Sequence, residues 1–132
     1  MIARLGDLLG QESFDVVHVE HLRASLLGEV IRGLPGVYDS VDCISLLFER
    51  TSASSPQCSS RLLATVNLDR TRRYEGQLAQ HYERLLVASS EDRAALRELA
   101  ARHGRADEAK PIEVLANGVD LSYFATNPSP PG

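Results

Sequence analysis

Four short runs of β-branched and other apolar residues punctuate the chain, and longer stretches with helical spacing separate them. The runs are Phe14-Asp15-Val16-Val17-His18-Val19, Val37-Tyr38-Asp39, Leu85-Leu86-Val87-Ala88 and Ile112-Glu113-Val114-Leu115. Strands of this length alternating with helices argue for an α/β fold, a partial Rossmann-like parallel sheet of about four strands with helices on both faces.

The stretches between carry their own signals. Met1 to Leu9 places Ile2, Leu5, Leu8 and Leu9 at helical spacing, with Gly10 as a stop. Leu22, Leu26, Leu27, Val30 and Ile31 share a helical face that Gly33 and Pro35 end. Ile44 to Phe48 is apolar, and the polar Thr51 to Ser60 stretch reads as a loop. Arg61 to Glu83 reads as a long helix through Leu62, Val66, Tyr74, Leu78 and Tyr82. Gly76 is its weak point, costing about 1 kcal/mol relative to alanine. Ser89-Ser90-Glu91-Asp92 opens the next helix, with serine as N-cap and acids in the first turn, and Arg102-His103-Gly104 closes it. Asn127 to Gly132, NPSPPG, reads as a linker.

The 132 residues fit one domain. A net charge of -4 disfavours nucleic acid as a partner, because phosphate-backbone binders present a basic face. Arg70, Arg72 and Arg73 form the only local basic cluster and fall on one expected helix. Cys43 and Cys58 have no metal-ligand spacing and read as reduced thiols of a cytoplasmic protein. The opening MIARLGDLLGQE is too short and too charged for an export signal or a membrane span.

In a parallel α/β sheet, ligands bind beyond the carboxyl ends of the strands. Here those ends are polar: His18, Glu20 and His21 after the first strand, Asp39, Ser40 and Asp42 after the second, Ser89 and Ser90 after the third, Asn117 after the fourth. Bland readings stand beside the functional ones. His18 alternates with Val17 and Val19, so it reads equally as a satisfied core histidine. Ser89 and Ser90 read first as a helix cap. Asp39 and Asp42 are candidates for a general base or a hydroxyl acceptor, and Asp42 equally caps the segment that follows. His18, Glu20 and His21 spell H-x-E-H, not the H-E-x-x-H that sets two histidines on one helical face for zinc, and no metal is expected. The chain has no G-x-S-x-G elbow, no Walker loop and no G-x-G-x-x-G turn.

Five segments in order carry a resemblance: FDVVHVEHLR (Phe14 to Arg23), VYDSVDCIS (Val37 to Ser45), RTRRYE (Arg70 to Glu75), RLLVASSEDRAAL (Arg84 to Leu96) and VLANGVDLSYF (Val114 to Phe124). Together they resemble the amino-terminal domain of family 4 glycosyltransferases, most of all sugar transferases of exopolysaccharide- and exosortase-associated clusters. The last segment is similar to that family's N-G-V-D-x-x-x-F signature, where the first domain ends. The resemblance implies one half of a GT-B arrangement, with residues 1–125 as a partial acceptor-side domain and 126–132 as the linker. It implies metal-independent transfer of a sugar from a nucleotide-sugar co-substrate to an acceptor hydroxyl, without a cofactor. The implied partner is a sugar or lipid-linked acceptor, with peripheral membrane contact for the intact enzyme.

By the same resemblance, His18, Glu20, Asp39 and Asp42 line the acceptor side, while Ser89, Asn117, Gly118 and Asp120 form the cleft floor and hinge. Some features depart from the family. Val41-Asp42 stands where many relatives have His-Asp, so no catalytic histidine carries over and the catalytic residue stays unassigned. Ala116 stands where proline is common before Asn-Gly. The strands that precede the DVVHVEH segment and the donor domain have no counterpart, so the chain is expected to be inactive alone and, with an unpaired sheet edge, to self-associate. The alternative is a non-catalytic α/β binding or docking module. A receiver-like domain would use Asp39 and Lys110, but it lacks the acidic pair at the first strand.

Overall fold

The computed structural model describes residues 2–31, 33–53, 58–104 and 110–121. Four parallel strands form one sheet in the order β1 (Val17–Glu20), β2 (Gly36–Val41), β3 (Arg84–Val87) and β4 (Ile112–Val114). Helix α1 (Ile2–Gln11) precedes β1, α2 (Ile44–Ala53) and α3 (Cys58–Leu78) join β2 to β3, and α4 (Ser90–His103) leads towards β4. The α/β class and the four-stranded parallel sheet flanked by helices are as the strand–helix alternation predicts, whereas the cover expected on both faces is uneven.

Each connection moves the chain one strand over in the same direction. Right-handed crossovers, the strong rule for parallel strands, then set the connecting helices on one face. The burial pattern agrees. Val19, Tyr38, Leu85 and Ile112 stand side by side in register and are all buried. They form one core with Ile31, Leu78, Ala79, Tyr82, Leu96 and Leu99 from the crossovers, and Leu5 and Leu9 of α1 pack against it. The neighbouring row, Glu20, Asp39, Leu86 and Glu113, points to the other face and is exposed or half-buried. Cover is therefore uneven, which is why charged side chains are tolerated inside these strands.

Several elements differ from expectation. The helix expected over Leu22–Ile31 is a short 3-10 helix, Ser25–Glu29. The Tyr82 hydroxyl donates to the Ser25 carbonyl at 2.6 Å, so that acceptor is taken by a side chain. Gly28 lies against the same ring, where an added Cβ would come within 2.9 Å of the Tyr82 oxygen. Conversely, the apolar run from Ile44 is not followed at once by a loop: α2 continues to Ala53 and α3 has begun by Cys58. Helix α1 likewise runs through Gly10 to Gln11.

The expected cap of α4 is present. Ser89 is the N-cap and its hydroxyl accepts from the Asp92 amide at 3.1 Å. Gly76 is buried, and its role is packing: a Cβ there would lie 2.4 Å from the Leu99 carbonyl oxygen of α4. The helix weakness visible in the sequence is what lets α3 and α4 come together. The 126–132 linker and the final Ser122-Tyr123-Phe124 of the family-like segment lie outside the described residues.

Candidate functional site

The carboxyl ends of the four strands enclose a cleft of about 430 Å³, lined by Glu20, His21, Asp39, Val41, Ala88 and the Leu115–Gly118 segment. Four segments far apart in sequence meet there. Asp39 is the best-positioned side chain. Its Oδ1 accepts from the Val41 amide at 3.0 Å, and its carbonyl accepts from the His21 amide at 2.9 Å. That leaves Oδ2 facing His18, whose Nε2 is 3.8 Å away. Glu20 Oε1 lies 3.4 Å from His21 Nε2. The chemistry available is carboxylate acceptance of hydroxyl protons, with imidazoles beside the acids.

Two backbone residues at this edge sit in the left-handed region, His21 at φ 66° and Val41 at φ 60°. For a β-branched residue such as Val41 this is an outlier that costs energy. It coincides with a register shift between Asp39 and Val41 in the β2–β3 ladder. The Asp39 carboxylate, holding the Val41 amide, pins the distortion in place.

The expected site residues divide into two groups. Glu20, Asp39, Asn117 and Gly118 line the cleft. His18 is beside it on the less covered face with its side chain 56% exposed, so the core-histidine reading is overturned. Asp42 points its side chain to solvent and does not cap α2; its backbone is engaged by Ser40 instead. Ser89 is committed to the α4 cap and is not among the described lining residues. Asp120 is exposed and lies past the lining segment. Asn117-Gly118, expected at the hinge, makes no turn: residues 115–120 have no turn and Gly118 has no positive φ. The Leu115 amide instead extends the ladder by bonding the Val87 carbonyl at 2.8 Å.

A second polar cluster was not anticipated. Glu75, 1% exposed, accepts from the Ile44 amide at 2.7 Å and the Ser45 amide at 3.0 Å, so a carboxylate of α3 caps the first turn of α2. Asp92 accepts from the Cys43 amide at 3.0 Å. Burial pushes the Glu75 carboxyl up, and these hydrogen bonds oppose the shift. Burial also pushes the Cys43 thiol up, which makes it a poor nucleophile. The sequence did hold the signal for Glu75. It precedes Leu78, Ala79 and Tyr82 by three, four and seven residues, which places it on the buried stripe.

Among the described residues, no group of three or more His, Cys, Asp or Glu side chains is placed to hold a metal, and no helix is long and apolar enough to cross a membrane. No protein-family model, no curated protein and no solved structure matches the chain.

Proposed function

We propose that this chain supplies the acceptor side of a family 4-like glycosyltransferase of GT-B arrangement, holding a sugar or lipid-linked sugar by its hydroxyls. What supports this is one observation: the family-like segments ending β1 and β2 and the Asn117-Gly118 segment converge on a single cleft at the carboxyl edge of a parallel sheet. Asp39, with one oxygen anchored by the Val41 amide and the other 3.8 Å from the His18 imidazole, suits an acceptor hydroxyl. Transfer from a nucleotide sugar needs cationic or amide stabilisation of the leaving diphosphate. The described lining carries Glu20 and Asp39 but no lysine or arginine. The chain alone therefore binds without turnover, which is also the behaviour of the alternative, a non-catalytic binding module.

The test is an amide-resolved NMR titration with methyl glycosides of glucose, galactose and mannose, beside a transfer assay with sugar nucleotides. Saturable shifts at Glu20–His21, Asp39–Val41 and Asn117–Gly118, weakened in Asp39→Asn, are expected, with transfer no higher than a buffer control. Transfer above that control by the pure chain, or glycosides that leave the cleft amides unmoved, would overturn the reading. Restored transfer on adding a donor-binding domain in trans separates the transferase half from a pure binding module.

A further inference from the structure

A larger concavity, about 710 Å³, lies away from the strand-end cleft, between α2, α3 and the loop after β1. Phe48 and Thr51 of α2 sit one helical turn apart. Asn67, Arg70, Thr71 and Tyr74 of α3 follow the i, i+3, i+4, i+7 spacing of a single helix face. Leu22 closes the end. Its volume is within the range of small-molecule sites.

The hydrogen bonds of the walls decide what can bind. The Thr51 hydroxyl donates to the Leu47 carbonyl and the Thr71 hydroxyl to the Asn67 carbonyl, both at 2.8 Å. The Ser25 hydroxyl donates to the Leu22 carbonyl at 2.5 Å, so in the 2.9 Å contact between Ser25 and Tyr74 the tyrosine is the donor. The hydroxyl protons of the described walls are thus spent within the protein. Among the described lining residues, the side-chain donors left are the Arg70 guanidinium and the Asn67 amide.

Arg70 is also the exception in its cluster. Arg72 pairs with Glu49 and Arg73 with Asp69, whereas Arg70 has no acidic partner among the described residues. None of the described lining residues is acidic, in a chain where acids outnumber bases eighteen to fourteen. The apolar part of the described lining is Leu22, the Tyr74 ring beside Arg70 on the same face of α3, and Phe48 of α2, the last 45% exposed.

We propose that this groove binds an organic anion, a phosphate or carboxylate carried on a flat apolar body. The charged group pairs with Arg70 and Asn67, and the body lies against Phe48, Tyr74 and Leu22. An arginine presents a planar fork matched to either oxyanion, and aromatic walls favour a flat partner. The site does not depend on the glycosyltransferase reading.

The experiment titrates the intact chain with 2-naphthyl phosphate and 2-naphthoate, and with 2-naphthol and inorganic phosphate as the separate halves. Binding is read by calorimetry and by amide shifts. Saturable binding of at least one anion, with shifts at Phe48, Asn67 to Thr71 and Tyr74, is the expected result. Arg70→Gln should weaken it about tenfold, and Arg70→Lys should recover part of that loss. Phe48→Ala should weaken both anions and provides an independent variant. Tighter binding of the phosphate identifies a phosphate ester as the ligand class, and tighter binding of the carboxylate identifies an organic acid. No saturation by either anion, equal affinity in Arg70→Gln, or shifts confined to the strand-end cleft would each overturn the proposal.

Discussion

Gly76→Ala separates two physical arguments that give opposite signs. Inside an exposed helix the change should stabilise, because alanine is favoured over glycine by about 1 kcal/mol. In this fold the new Cβ would sit 2.4 Å from the Leu99 carbonyl oxygen and 2.9 Å from both the Leu99 carbonyl carbon and the His103 Cβ. The first obstacle is backbone of α4, which cannot rotate aside, so α3 and α4 must separate. Overpacking of this kind costs roughly 1–3 kcal/mol, and a rigid obstacle argues for the upper end. Setting the propensity gain against it leaves a net loss of about 1–2 kcal/mol. Gly6→Ala in α1 is the control, since nothing lies within 4 Å of a Cβ there. It should gain up to about 1 kcal/mol. Urea unfolding of the three proteins reads the midpoints, with equal slopes showing that the exposed surface is unchanged. A Gly76→Ala midpoint at or above wild type would refute the close approach of the two helices.

Other perturbations probe the buried polar groups and the sheet edge. Glu75→Ala strands two amide donors at the start of α2 and should cost about 2–4 kcal/mol in urea unfolding; a loss below 1 kcal/mol would mean water replaces the carboxylate. Glu75 also sets a pH dependence. Its folded pKa is raised from the ordinary 4.5, so its contribution is fully present below that value and is lost as pH rises through the folded one. Wild type should therefore lose stability relative to Glu75→Gln as pH rises above 4.5, and a pH-independent difference would contradict the shift. Tyr38→Phe removes a buried hydroxyl without a partner among the described residues. It should be neutral or stabilising by up to about 1 kcal/mol in thermal unfolding, whereas a clear loss would reveal an unseen bond. Among the described strands β1 pairs only with β2, so sedimentation should detect concentration-dependent self-association that Val16→Lys at the 54% exposed strand entrance suppresses. A monomer at every concentration would count against it.

The sequence disclosed whatever local chemistry determines. The four strands were legible because each is a compact apolar run bounded by turn residues, and α4 because Ser89, Glu91, Asp92, Arg102, His103 and Gly104 mark its ends. What the sequence hid is held by distant partners. Helix α2 owes its first turn to Glu75 and Asp92, thirty and more residues downstream. The segment after β1 shortens to a 3-10 helix because Tyr82 takes the Ser25 carbonyl across the fold. Helical spacing alone reports neither effect. Gly76 shows the same limit in reverse, since a propensity scale records its cost and only the α3–α4 approach gives its reason.

The candidate cleft was legible to the same depth. Polar residues at strand ends were visible, and the parallel topology brings Glu20, Asp39 and Asn117 together. The topology does not decide which of them faces the space. That depends on backbone geometry at single residues. Val41 turns left-handed at the end of β2, the ladder slips one place, and the Asp39 carboxylate bends back to the Val41 amide. Asp42, one residue later, is thereby carried out to solvent. A valine in this conformation costs of order 1–3 kcal/mol, which a fold retains only where the surroundings over-determine it. The strain, the anchored carboxylate and the cleft coincide at the end of β2, and that coincidence makes Asp39, rather than Asp42 or His18, the residue around which this edge is built.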